Sequence, residues 1–176
     1  ISVNQSKLLF FEPNYVQALT ELVKTYGVPP RFITLEILEG LALENVDTLN
    51  EKIVLLQAEG FRISLDDFGS GFSSLNTLGK LKIDELKLDR GFLLGVSSQE
   101  QGRVRLILKE IVQIARQLSI STVAEGVETA EDERLIREIG CDFGQGYRYS
   151  RPISTDDFDR VFMDHPSPRK LNMEGD

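Results

Sequence analysis

The stretch ISLDDFGSGFSSL, residues 63–75, runs as an apolar strand into two adjacent carboxylates, Asp66 and Asp67, and then into a glycine-rich turn. On a regular strand neighbouring side chains point to opposite faces, so the two aspartates can share a site only where the strand ends and the chain bends between them, which Gly69 and Gly71 would permit. Two carboxylates brought together repel, and a pair of divalent cations is the usual resolution. Oxygen ligands from Asp, Glu and Asn select Mg²⁺ or Mn²⁺ over zinc.

Working outward, short apolar runs alternate with stretches of helical period. ISVN leads into a helix over about 13–26, with Val16, Leu19, Leu22 and Val23 on one face, ended by Gly27 and the Pro29-Pro30 pair. FITLEIL precedes a helix over about 46–59, where Val46, Leu49, Ile53 and Leu56 keep helical spacing and Gly60 closes it. RISLDD is followed by a short helical turn near 75–81, then by ELKLD. The strongest helix lies near 102–118, with Val104, Ile107, Leu108, Ile111, Ala115 and Leu118 as an apolar stripe expected to pack on the core. STVAEG is the fifth strand. The helix after it is N-capped by Thr129 with Asp132 three residues on and ends at Gly140. DFGQGY is the sixth strand, and a last helix starts near Ser154.

Six βα units in strict alternation predict a mostly parallel sheet, open or closed into a barrel. The polar residues favour a barrel. Asn4, Glu36, Asp66 with Asp67, Lys87 with Asp89, Glu125 and Gln145 all fall on or at the ends of strands. In a parallel barrel those ends open on one face and converge on one pocket. Singly, each has a plainer reading: Asn4 as a cap, Glu36 on a solvated strand face, Lys87 in a surface ion pair, the double aspartate as a turn. Glu36 fits that reading least, because a carboxylate between Leu35 and Ile37 in a covered parallel strand needs a partner or a metal.

Composition bounds the alternatives. The chain has 176 residues, 41% hydrophobic and 27% charged, as expected of one soluble globular domain with its own core. No run reads as membrane-spanning and no leader peptide is visible, so a cytoplasmic segment is expected, although the full-length protein could be anchored elsewhere. Single Cys141 excludes an internal disulfide and multi-cysteine zinc ligation. The only histidine, His165, opens a polar tail over 165–176, beyond a domain over 1–164, which argues against histidine catalysis. A net charge of −8 argues against binding a nucleic-acid polymer, but a small phosphate ligand is compatible if metal ions offset the acids.

The segments SVNQS, LEILE, LDDFGSGFSSL, LKLDRGF, VAEGVET and GCDFGQGYRYSRP occur in the order and approximate spacing of the EAL-domain family, bacterial cyclic di-GMP phosphodiesterases, which the chain resembles from Ile1 to about Pro152. The resemblance implies a TIM-type barrel and hydrolysis of cyclic di-GMP to linear pGpG at two Mg²⁺ or Mn²⁺ ions. Residue by residue, Asn4, Glu36 and Asp66 resemble ligands of the first metal. Asp66 and Asp67 resemble those that bridge to or hold the second, and Asp89 a further acid beside it. Lys87 and Glu125 match residues that bind, orient or help deprotonate the attacking water, and Gln145 matches a polar contact to that water or to substrate. Glu39 and Glu128 resemble acids that anchor the DDFGSGFSS loop.

A barrel of this type takes eight strands and about 250 residues, against six recognisable units here. The resemblance therefore implies that the family's naming motif, with a glutamate metal ligand and a substrate-contacting arginine, lies before Ile1, and that this is the C-terminal piece of a larger signalling protein with sensory or GGDEF modules upstream. Within the matched region Leu38 replaces a more usual threonine, while Phe72 and Gly91 stand where the family varies. Open sheet edges are expected to promote homodimerisation, and the missing segment to reduce or abolish the activity of this truncated chain. Two alternatives remain: a non-hydrolytic binding or protein-interaction module, and another Mg²⁺ barrel enzyme of the enolase type, which has no call for a second adjacent aspartate.

Overall fold

The computed structural model describes residues 1–44, 46–70, 75–93 and 98–163, with side chains 42–44 and 98–101 excepted. His165, the 165–176 tail and the Gly71 and Phe72 positions lie outside the described residues. Six strands form one sheet in chain order: β1 (Ser2–Asn4), β2 (Thr34–Leu38), β3 (Arg62–Phe68), β4 (Glu85–Leu88), β5 (Ser121–Ala124) and β6 (Phe143–Gly144). Every neighbouring pair is parallel, which follows from a helical crossover between each strand and the next. The sheet curls into an incomplete α/β barrel. All three β1 residues are exposed, as is Phe143 in β6, so both edges are open among the described residues.

The helices are α1 (Lys7–Phe10), α2 (Tyr15–Thr25), α3 (Glu39–Glu44), α4 (Val46–Ala58), α5 (Leu75–Leu78), α6 (Ser98–Gln117), α7 (Ala130–Ile139) and α8 (Thr155–Phe158). Strand alternation sorts the sheet into two faces. Leu35, Ile37, Ile63, Leu65, Leu86 and Leu88 join a core with Leu49, Ile53 and Leu56 of α4 and Leu108, Ile111, Val112 and Ala115 of α6. Thr34, Glu36, Ser64, Asp66 and Lys87 occupy the opposite, concave face, all buried. Full burial of each α4 leucine or isoleucine contributes about 1.5–3 kcal/mol, which makes the outer layer the main source of stability.

The spacing-based expectations hold for α4, where Leu49, Ile53 and Leu56 are fully buried, and partly elsewhere. Leu22 of α2 is exposed, against the expectation that it shares the packed face with Val16, Leu19 and Val23. Ile107 of α6 and Leu118 just beyond it are exposed as well, so the α6 stripe reaching the core is narrower than its sequence pattern. Both departures have one cause: a helix resting on a single sheet buries a strip, and residues on its flanks stay in solvent. The α7 start is as expected. Thr129 Oγ1 accepts from the Asp132 amide at 3.1 Å while Asp132 Oδ2 accepts from the Thr129 amide at 2.8 Å, and Gly140 closes the helix in the left-handed conformation.

Candidate metal and phosphodiester site

The C-terminal ends of β2 to β5 converge on Lys87. Its ammonium lies 2.9 Å from Glu36 Oε1, 2.8 Å from Asp66 Oδ1 and 2.7 Å from Glu125 Oε1, with the Lys87 side chain only 5% exposed. An ammonium has three N–H donors, and three carboxylates take them. Burial opposes the lysine charge, but the hydrogen bonds it donates to Asp66, Glu125 and Glu36 outweigh it and raise its pKa above the ordinary lysine value. Glu36 is thus buried with a partner, as its sequence context requires.

The two aspartates reach one site without the strand ending between them: the chain bends at Asp67 inside the strand. β3 continues through both to Phe68, and its pairing with β4 shifts between Leu65↔Leu86 and Phe68↔Leu88. Three steps along β3 therefore match two along β4, which places Asp66 and Asp67 together opposite Lys87. The bulge is absorbed at Asp67 itself, with φ 57°, a left-handed conformation that aspartate tolerates better than most residues. Gly69 follows the strand, and Gly71 is outside the described residues.

Ligand oxygens of Asp66, Asp67 and Glu125 lie within 4.8 Å of one another. Burial raises the Asp67 pKa, and repulsion from Asp66 and Asp89 adds to it. Glu125 is also raised, chiefly by burial, with Lys87 working against the shift. Hard oxygen donors this close, with Asp67 and Glu125 disfavoured as free anions, are the donor set of a divalent cation such as Mg²⁺ or Mn²⁺. Glu36, Asp66, Asp67, Asp89 and Glu125 against the single Lys87 leave four negative charges, the amount two divalent cations neutralise.

The other residues take more peripheral places. Asn4 ends β1 in register with Glu36, and is exposed. Asp89 follows β4 and uses Oδ1 to accept from the Gly91 amide at 2.8 Å, which starts a 3₁₀ turn over Arg90–Phe92. Gln145, exposed, follows β6 and is held beside β5, its amide donating to the Ala124 carbonyl at 2.8 Å. Glu39 is buried at the start of α3, whereas Glu128 is exposed and its amide donates to Asp132. Four residues of the loop they were expected to anchor, 71–74, lie outside the described residues.

Two residues not singled out by sequence also belong to this neighbourhood. Ser64 is fully buried on the concave face, between Glu36 and Glu85 in register, and its hydroxyl has no partner among the described residues. Its position two residues before Asp66 was the available signal. Arg90 directly follows Asp89 at the mouth.

The EAL domain family model matches residues 1–152. The chain belongs to the EAL domain family. Among its relatives is the bifunctional diguanylate cyclase/cyclic di-GMP phosphodiesterase MucR of Pseudomonas aeruginosa, 35% identical over 153 residues, 87% of this chain and 22% of MucR. The cyclic di-GMP phosphodiesterase NbdA of the same organism is 33% identical over 162 residues, covering 89% of this chain and 20% of NbdA. In three dimensions this EAL chain superposes on the MucR phosphodiesterase in complex with c-di-GMP with a TM-score of 0.80 at 34% identity, over 90% of this chain and 63% of that one. A manganese and cyclic di-GMP complex of Klebsiella pneumoniae BlrP1 gives a TM-score of 0.77 at 27% identity, over 86% of this chain and 38% of that one. The chain spans about a fifth of the length of the curated relatives it matches.

Proposed function

We propose that this EAL chain is the cyclic di-GMP phosphodiesterase portion of a bacterial second-messenger signalling protein, cleaving one phosphodiester to give linear pGpG. The observation that carries the reading is the meeting of Asp66, Asp67 and Glu125 oxygens within 4.8 Å around a fully engaged Lys87. Asp66 and Asp67 would hold two Mg²⁺ or Mn²⁺ ions, with Asn4 and Glu36 completing the first set and Asp89 adding charge beside the second. When bound, the ions supply Lewis-acid activation of water and neutralise the phosphate oxygens.

The chain's own groups divide the remaining work. Glu125, whose pKa is raised, accepts the proton of the attacking water at its carboxylate. Lys87 stays charged and is a positioning residue: its three hydrogen bonds hold Glu36, Asp66 and Glu125 at fixed mutual distances. Gln145 orients the same water or a substrate hydroxyl from the β6 side. Glu39 and Glu128 steady the loop after Asp67. No histidine takes part.

The activity belongs to a longer, cytoplasmically disposed protein with sensory or GGDEF modules, a reading supported by the bifunctional diguanylate cyclase/cyclic di-GMP phosphodiesterase MucR, of which this chain covers 22%. Among the described residues no helix is long and apolar enough to cross a membrane. With β1 and β6 open, this chain alone would pair as a homodimer and turn over slowly or not at all. The test is pGpG formation from cyclic di-GMP with Mn²⁺, followed by chromatography, beside Glu125→Ala. Turnover abolished by that substitution supports the reading; turnover that survives it, or absence of both cyclic di-GMP binding and turnover, overturns it.

A further inference from the structure

Among the described residues, Arg90 is the one cation without a carboxylate partner at the C-terminal ends of β3, β4 and β5. The other is Lys87, buried and saturated by three carboxylates. Arg90 is exposed, one residue past Asp89, and its side chain runs across Gly126, the residue after Glu125: a Cβ added at Gly126 would lie 2.4 Å from Arg90 Cβ and 3.4 Å from its Cδ. Gly126 adopts φ 68°, so both its backbone and this close crossing require glycine. The stem is therefore seated against the segment that carries Glu125, one residue past Asp89, and among the described residues no acid is committed to its guanidinium.

A cyclic dinucleotide brings two phosphates to this site. One sits at the acidic cluster and its ions. The other is a full negative charge facing an acidic rim, and Lys87 cannot reach it because its donors are spent. Resting on the phosphodiesterase reading above, we propose that Arg90 is a substrate-binding residue whose guanidinium takes the non-scissile phosphate of the dinucleotide, a fork-shaped donor matched to two phosphate oxygens.

The test is calorimetric titration of cyclic di-GMP into this chain with Ca²⁺ in place of Mn²⁺, so that binding is read apart from turnover, with Ca²⁺ affinity measured separately. Arg90→Ala is expected to weaken dinucleotide binding about 10- to 100-fold, the range of a charge-assisted hydrogen-bonding pair, with Ca²⁺ affinity within twofold of the parent. Arg90→Lys should recover most of the loss and Arg90→Gln should not, because a neutral amide cannot offset a phosphate. Unchanged dinucleotide affinity in Arg90→Ala overturns the proposal and leaves the phosphodiesterase reading standing. Recovery by Arg90→Gln overturns the phosphate assignment, and a parallel fall in Ca²⁺ affinity overturns it in favour of a role through Asp89. Failure of the unsubstituted chain to bind the dinucleotide removes the reading and the Arg90 proposal together.

Discussion

Lys87 Nζ and Glu125 Oε1 stand 2.7 Å apart at the ends of adjacent strands, and the same ammonium bonds Glu36 and Asp66. Removing it while keeping its volume leaves three carboxylates facing one another with no counter-charge. Lys87→Met should cost about 3–5 kcal/mol in urea unfolding of the metal-free chain. Mn²⁺ should restore a good part of that loss, since a divalent ion among the same oxygens replaces the missing charge. A variant as stable as the parent without metal would contradict a lysine-held cluster.

Asp67 combines two separable roles, a ligand atom and a strained backbone. Asp67→Gly removes the left-handed penalty, about 1–2 kcal/mol for a residue with a Cβ, together with repulsion from Asp66 and Asp89. The metal-free glycine variant should unfold at equal or higher urea than the parent, yet bind Mn²⁺ at least about tenfold more weakly. Equal metal affinity in calorimetry would remove Asp67 from the ligand set.

The order of strands, their parallel sense and most of the cluster were legible in the sequence because each rests on local pattern: period 3.6 against short apolar runs, and Asp, Glu or Lys at strand ends. Sequence did not show how Asp66 and Asp67 come to face the same way. A strand end with a bend between the two aspartates, permitted by Gly69 and Gly71, is the expectation from sequence. Instead the strand runs on to Phe68, and the register shift against β4, with Asp67 left-handed, does it within the strand; register is a property of two strands at once. Leu22, Ile107 and Leu118 were misplaced for a related reason, since helical spacing identifies an apolar face but not how wide a strip the sheet covers. Arg90 gains meaning only from Gly126, 36 positions away.

Glu133 of α7 ties the helix to the segment after β6, its carboxylate bonding Arg137 at 3.0 Å and Arg148 at 3.2 Å. The two guanidiniums hold its pKa below the usual 4.5. A depressed carboxylate stabilises the fold above its unfolded pKa and loses that contribution as pH falls through the folded value. Glu133→Gln should therefore show a shallower loss of stability on acidification below about pH 4.5. Both arginines are about half exposed, so 1 M NaCl should shrink the difference between the two proteins. Parallel pH curves at low salt would show that the pair contributes nothing measurable.

Gly146 is packed against backbone: an added Cβ would meet the Val127 carbonyl oxygen at 2.3 Å and its nitrogen at 2.4 Å. The Val127 amide donates to Gln145 at 3.0 Å, and the Val127 carbonyl accepts from Arg148 at the same distance, so this contact joins the Glu125 segment to the Gln145 segment. Gly146→Ala must spread them. Overpacking of this kind costs about 1–3 kcal/mol, and turnover or dinucleotide binding should fall further than stability alone accounts for. A variant unfolding at the parent's urea midpoint with unchanged binding would show that the two segments are not held in this register.

Ser64 offers the opposite sign. Its hydroxyl is fully buried on the concave face without a partner among the described residues, a state that costs about 1–3 kcal/mol relative to a satisfied or absent polar group. Ser64→Ala removes the hydroxyl and little volume, so the metal-free chain should gain up to about 1 kcal/mol in urea unfolding. Glu36 and Asp66 remain held by Lys87 in that variant, and Mn²⁺ affinity should stay within about twofold. A clear loss of stability would mean that the Ser64 hydroxyl makes a hydrogen bond in solution, and a loss of metal affinity would place that bond in the Glu36–Lys87–Asp66 network.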